Sequence, residues 1–148
     1  MITACIRYLL VLILLICEGI RDYRTGKIAL WTVLVSACCG IILQFVTKGL
    51  SPGGILGGAL IGVALLGIGF VSEGSIGYGD GLVFLATGII LGFGDNFAML
   101  MFSLLFCAIF SAGLLVFKKA GRKSRLPFIP FTVPGLLVTA CIGLSKGV

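Results

Sequence analysis

The sequence contains no histidine, and charged residues make up only 11% of its 148 positions. The first absence removes the base of the usual serine or cysteine triad and the commonest ligand of a zinc site. Cysteine does not replace it: Cys5, Cys17, Cys38, Cys39, Cys107 and Cys141 form no CxxC pair, so neither a thiolate metal site nor a redox motif is supported. These six lie within or beside apolar runs and are expected to be small buried apolar residues. The chain carries a formal net charge of +6, but no aromatic-basic platform accompanies the basic residues, so nucleic acid is not the expected partner. No polar linker or low-complexity tract divides the chain, and one membrane-embedded domain over residues 1–148 is expected.

What is present is apolar sequence. The chain is 59% hydrophobic, with a mean hydropathy of +1.26, and its charges are confined to short clusters between apolar runs of membrane-spanning length. That pattern predicts an all-α, polytopic membrane helix bundle of about six transmembrane helices, at residues 3–20, 28–46, 53–71, 81–94, 97–117 and 127–145. The first apolar run is followed by Glu18, Arg21 and Asp22 rather than by a small-residue cleavage pattern, so an uncleaved span is expected there. The fourth span is short, which suits a tilted helix or one half-buried against its neighbours.

Arg21, Arg24 and Lys27 follow the first span, and Lys118, Lys119, Arg122, Lys123 and Arg125 follow the fifth. Positive-inside bias therefore places these loops in the cytoplasm and both termini outside, in the cell inner (cytoplasmic) membrane. The 118–125 cluster is read as an anchor on a lipid bilayer with anionic headgroups, at about 1 kcal/mol for each nearby charge. On this topology Asp22 and Asp80 share the cytoplasmic face and Asp95 lies on the other. In the third span Gly54, Gly58 and Gly62 recur every four residues, beside Gly53 and Gly57, and form a stripe on which a neighbouring helix packs closely.

The stretch with most chemical content is Gly77-Tyr78-Gly79-Asp80, at the mouth of an apolar run. A carboxylate costs about 2.5 kcal/mol or more at the centre of a membrane helix, so one kept beside a span is a functional candidate. Its plainer reading is a turn in which Asp80 caps the next helix. Asp22, likewise, reads either as an ordinary turn acid or as the partner of Asp80. Held close, two carboxylates share a proton, and the ionised acid then takes a proton from water while the neutral one polarises a peptide carbonyl. Glu18, one helical turn before Asp22, and Glu73, in the loop before Asp80, either tune that pair, meet a basic substrate segment, or are plain interfacial charges. Late in the chain, Pro127-Phe128-Ile129-Pro130-Phe131, with Pro134 behind it, reshapes the first turns of the last span and is expected to border the cytoplasmic cavity.

The Gly77-Tyr78-Gly79-Asp80 motif, the earlier Asp22 and the late Pro127-Phe128-Ile129-Pro130-Phe131 together resemble the prepilin peptidase family of GxGD membrane aspartyl proteases. The resemblance implies a peptidase, catalytic through Asp22 and Asp80, that removes the short basic leader of a prepilin-like membrane protein substrate (type IV pilin-like or Flp-type) at the cytoplasmic face, cutting before the hydrophobic helix. Larger members carry a methyltransferase insertion with CxxC pairs after the first span. The short loop here resembles the compact, peptidase-only form. Gly77, Gly79, Glu18, Glu73, Pro127, Phe128 and Pro130 are expected to shape the site or position the substrate. Two departures stand out: Ile28-Ala29-Leu30 where the family often has Ile-Pro-Asn, and Leu82 where a lysine is common. No metal or other cofactor is required, and a homo-oligomer is left open. The rival readings are a small transporter or channel with proton- or cation-binding acids, and a non-catalytic pilus assembly factor.

Overall fold

The computed structural model describes residues 2–25, 28–47, 49–71, 77–116 and 128–145. They form six helices: α1 (Ile2–Thr25), α2 (Leu30–Thr47), α3 (Pro52–Val71), α4 (Tyr78–Leu91), α5 (Phe93–Val116) and α6 (Ile129–Ser145). Only a closed backbone survives in lipid, and a helix closes its own hydrogen bonds. Four helices (α1, α2, α3 and α5) are long and apolar enough to cross a membrane, and α4 and α6 are shorter apolar helices. The protein is a multi-pass membrane protein with the all-α bundle architecture expected from its sequence.

The short fourth helix is the centre of the bundle. Val83, Phe84, Ala86, Thr87, Gly88, Ile90 and Leu91 are all buried. Neighbouring helices follow one another around α4 in the order α2, α1, α6, α5, α3, each packed on the next, whereas α2 and α3 scarcely touch among the described residues. α4 meets α3 most intimately. A Cβ at Gly58 would overlap the Gly88 carbonyl, a Cβ at Gly88 would overlap that of Gly58, and one at Gly62 would overlap the Leu85 backbone. Of the glycine stripe, then, Gly58 and Gly62 carry the backbone contact, while Gly57 faces Phe93 and Gly53 meets nothing. α4 stops three residues earlier than the apolar run suggests. Gly92, at φ 82° and ψ −177°, takes an extended positive-φ conformation that suits only glycine, and its N–H donates to the Gly88 carbonyl at 2.9 Å.

Buried polar side chains fasten the end of the bundle away from Asp80. The Asn96 amide donates to the carbonyls of Gly58 (3.1 Å) and Phe84 (3.0 Å) and accepts from the Thr87 hydroxyl (2.8 Å). It thereby joins α3, α4 and α5. The Gln44 amide donates to the carbonyls of Ile89 and Ile90 and accepts from Arg7, which also donates to Thr47. Tyr8 donates to Asp95 at 2.7 Å. The cysteines correct the expectation of burial: Cys5, Cys17, Cys38, Cys39 and Cys141 lie on outward faces and Cys107 is half-buried. Apolar side chains need no protein neighbour where the surroundings are lipid.

Candidate active site

Asp22 occupies the last turn of α1 and Asp80 the first turn of α4, so both stand at the same end of the bundle. Their carboxyl groups are near enough for the charge of Asp22 to act on Asp80. The structure therefore brings together the two acids singled out in the sequence. Asp95 is bonded to Tyr8 at the other end.

Asp80 is not the helix cap. The N-cap is Gly77, which makes no side-chain cap hydrogen bond, and Asp80 is the third helical residue, its N–H donating to the Gly77 carbonyl at 3.0 Å. A Cβ at position 77 would lie 3.1 Å from Asp80 Oδ2, so glycine there keeps the space beside the carboxylate open. Gly79 is needed for another reason. A Cβ at that position would overlap the Ile28 side chain, so this glycine lets the segment entering α2 lie against α4. Among the described residues none donates a hydrogen bond to the Asp80 carboxylate. Asp80 precedes the apolar run that opens at Leu82, and burial in the bundle, aided by the charge of Asp22, pushes its pKa up to about 7.

Asp22 is held differently. Burial raises its pKa too, but a hydrogen bond from the backbone N–H of Ile129 opposes that rise; Ile129 is the first residue of α6, where helical N–H groups have no intrahelical partner and the helix dipole favours an anion. Pro130 follows in the same turn, where its missing N–H costs nothing, and Pro134 lies further on, inside the helix. Phe128 leads into α6 and stacks on the fully buried Phe84 of α4, ring centroids 6.1 Å apart. The Phe128–Pro130 segment thus ties the aspartate of α1 to the helix that carries the other.

Glu18 is neither an interfacial charge nor open to a substrate. It is fully buried, and its two oxygens accept from the Ala29 N–H (3.0 Å) and from the Thr32 hydroxyl. It clamps α1 to the start of α2, and its charge acts on Asp22 one turn away. Sequence reasoning missed Ala29 and Thr32 as its partners, because a neutral backbone N–H leaves no mark in a sequence. It also passed over Gln44 and Asn96, although isolated amides in apolar runs are a usable signal. Glu73 and Pro127 lie outside the described residues.

Two half-buried carboxylates at facing helix ends, one held by a helix N-terminus and one left without a described donor, form an unlike pair that suits acid-base chemistry. No curated protein and no solved structure matches the chain. A family model does match, that of the type IV leader peptidase family, over residues 8–112, a stretch that takes in Asp22 and Asp80 and stops short of α6. The chain belongs to the type IV leader peptidase family.

Proposed function

We propose that this leader peptidase is an aspartic endopeptidase in which Asp22 and Asp80 are the catalytic pair, cutting the basic leader from type IV pilin-like precursors at the cytoplasmic membrane face. The observation that carries the reading is the meeting of Asp22 and Asp80 at one end of the bundle, close enough for the charge of Asp22 to act on Asp80. Near neutral pH the pair holds one proton. A water molecule between the acids gives its proton to the ionised carboxylate as its oxygen adds to the scissile carbonyl, and the protonated carboxyl hydrogen-bonds the carbonyl oxygen as negative charge develops there. Collapse of the tetrahedral intermediate breaks the C–N bond, and the amine leaves with a proton from the pair.

Burial raises the pKa of both acids, but the Ile129 N–H opposes that rise at Asp22 and no described donor opposes it at Asp80, so we take Asp22 as the base and Asp80 as the acid on entry to the cycle. Gly77 leaves room beside Asp80 for the substrate backbone, and Phe128 and Pro130 hold the far wall. The loop at 21–27 is too short for the methyltransferase insertion of larger members, so the product is expected to keep an unmethylated amino terminus.

The test is cleavage of a prepilin-like precursor in liposomes by the wild type, Asp22→Asn and Asp80→Asn, followed by mass spectrometry of the new amino terminus. Wild-type cleavage with loss in both variants is expected. Normal cleavage by either variant would defeat the two-acid mechanism.

A further inference from the structure

The helices around α4 close on every side but one. α2 and α3 both pack on α4 and scarcely touch each other among the described residues, so a gap between them opens α4 to the bilayer. Beyond Asp80, every residue of α4 is buried except Leu82, Leu85 and Ile89. These follow exposed Tyr78 at steps of four, three and four, the spacing of a single row on a helix. The row runs about 16 Å, from two residues before Asp80 to the far end of α4.

At that far end lies a cavity of about 570 Å³, walled by Ile41 and Phe45 of α2, Leu50 just before α3, Pro52 and Ile55 of α3, and Ile89 of α4. Gln44 also borders it, but its amide is engaged by Arg7 and by the carbonyls of Ile89 and Ile90, so the lining presents no free amide. The cavity and the row share Ile89, and from there the row runs along the helix that carries Asp80 to Tyr78 at its N-terminal end.

We propose that cavity and row together form a groove that seats the hydrophobic helix of the substrate, entering sideways between α2 and α3. The inference rests on the proposed function, in which the cut falls just before such a helix. A helix in the groove packs its own i, i+3, i+4 ridge on the Leu82–Leu85–Ile89 row and brings its cytoplasmic end to Tyr78. Asp80 points from the opposite side of α4 toward Asp22, so the segment to be cut turns over the N-terminal end of α4. Gly77 is exposed there and has no side chain to obstruct the turn. The row leads to the end of α4 that carries Asp80, which selects a peptide helix, whose next residues turn over that end to reach the acids, over a lipid chain, which gains nothing from the approach.

The test places the photocrosslinker benzoylphenylalanine at Phe45 in the groove and, as a control, at Leu137, exposed on α6 across the bundle, in liposomes holding a prepilin-like precursor. Crosslinks to the precursor from position 45 and not from 137 are expected. Adducts from position 45 only with lipid, or with a second copy of the chain, would overturn the proposal. In parallel, Ile41→Trp narrows the groove and should raise KM for the precursor about tenfold, with kcat little changed, whereas Leu137→Trp should leave both as in the wild type. An unchanged KM for Ile41→Trp would also overturn it. If the wild type cuts no precursor at all, the proposed function fails; if it cuts but the groove neither crosslinks nor responds, this inference alone fails.

Discussion

Asp80 and the far end of the bundle meet the cost of polar groups in opposite ways. At the end holding Asn96, Gln44, Tyr8 and Asp95, side chains find partners on other helices, and Arg7 Nε is the one buried side-chain nitrogen or oxygen left without a partner among the described residues. At the other end Asp80 has no described donor and stands in the field of a second acid. A polar group inside a membrane protein is costly, and the far end recovers that cost through hydrogen bonds. At Asp80 it is left uncompensated, although neighbouring Glu18 is fully bonded, and that is the condition under which a carboxyl group is free to exchange a proton.

The largest expected effect tests the end that holds Asp80. Asp22→Asn and Asp80→Asn should each lower kcat by at least about a hundredfold, the lower bound for removal of a general acid or base, while both proteins still fold in membranes. At the matched end, Asn96→Leu should do the reverse. Loss of three interhelical hydrogen bonds should lower stability in detergent by about 2 kcal/mol or more, read by thermal unfolding, with activity per folded molecule retained.

The pH profile sharpens the contrast. Because the pKa of Asp80 is raised to about 7, its proton is held below that value and lost above it. Activity should therefore fall as pH rises through about 7, by about tenfold per unit on the alkaline limb, as for loss of one essential proton. The same sign governs stability: the neutral form is favoured by folding, so its contribution is complete below the ordinary carboxylate range and is lost as pH rises through about 7. Asp80→Asn should flatten that part of the stability curve. The smallest effect is expected for Asp95→Asn. The amide oxygen still accepts from Tyr8, and activity should stay within about twofold, since a partly buried neutral hydrogen bond is worth only about 1 kcal/mol.

What could be read from the sequence was whatever depends on composition and local pattern. The six apolar runs, the placing of Asp22 with Asp80 and Asp95 apart from them, and the packing use of Gly58 and Gly62 all follow from hydropathy, charge bias and spacing. The ends of the helices were less legible. α1 continues through Asp22 to Thr25, where hydropathy alone stops at residue 20, because the clamp on Glu18 and the Ile129 N–H hold its last turn. Of the roles open to Glu18, its action on Asp22 was legible from the one-turn spacing, whereas the clamp was not, because it depends on Ala29 and Thr32, which reach it only after α2 folds back. Cysteine burial failed for a simpler reason: an apolar residue in a membrane protein has two apolar surroundings to choose from, and the sequence does not distinguish them.

The Glu18 clamp also limits how freely parts can be exchanged between relatives. Where the family often carries proline, this chain has Ala29, whose N–H is a donor that a buried carboxylate accepts. Grafting Ile-Pro-Asn onto positions 28–30 would remove that donor and leave one oxygen of a solvent-free acid unanswered. Positions 18 and 29 thus act as one structural unit, and a chimera that swaps the first loop without the preceding helical turn should assemble less well than either parent.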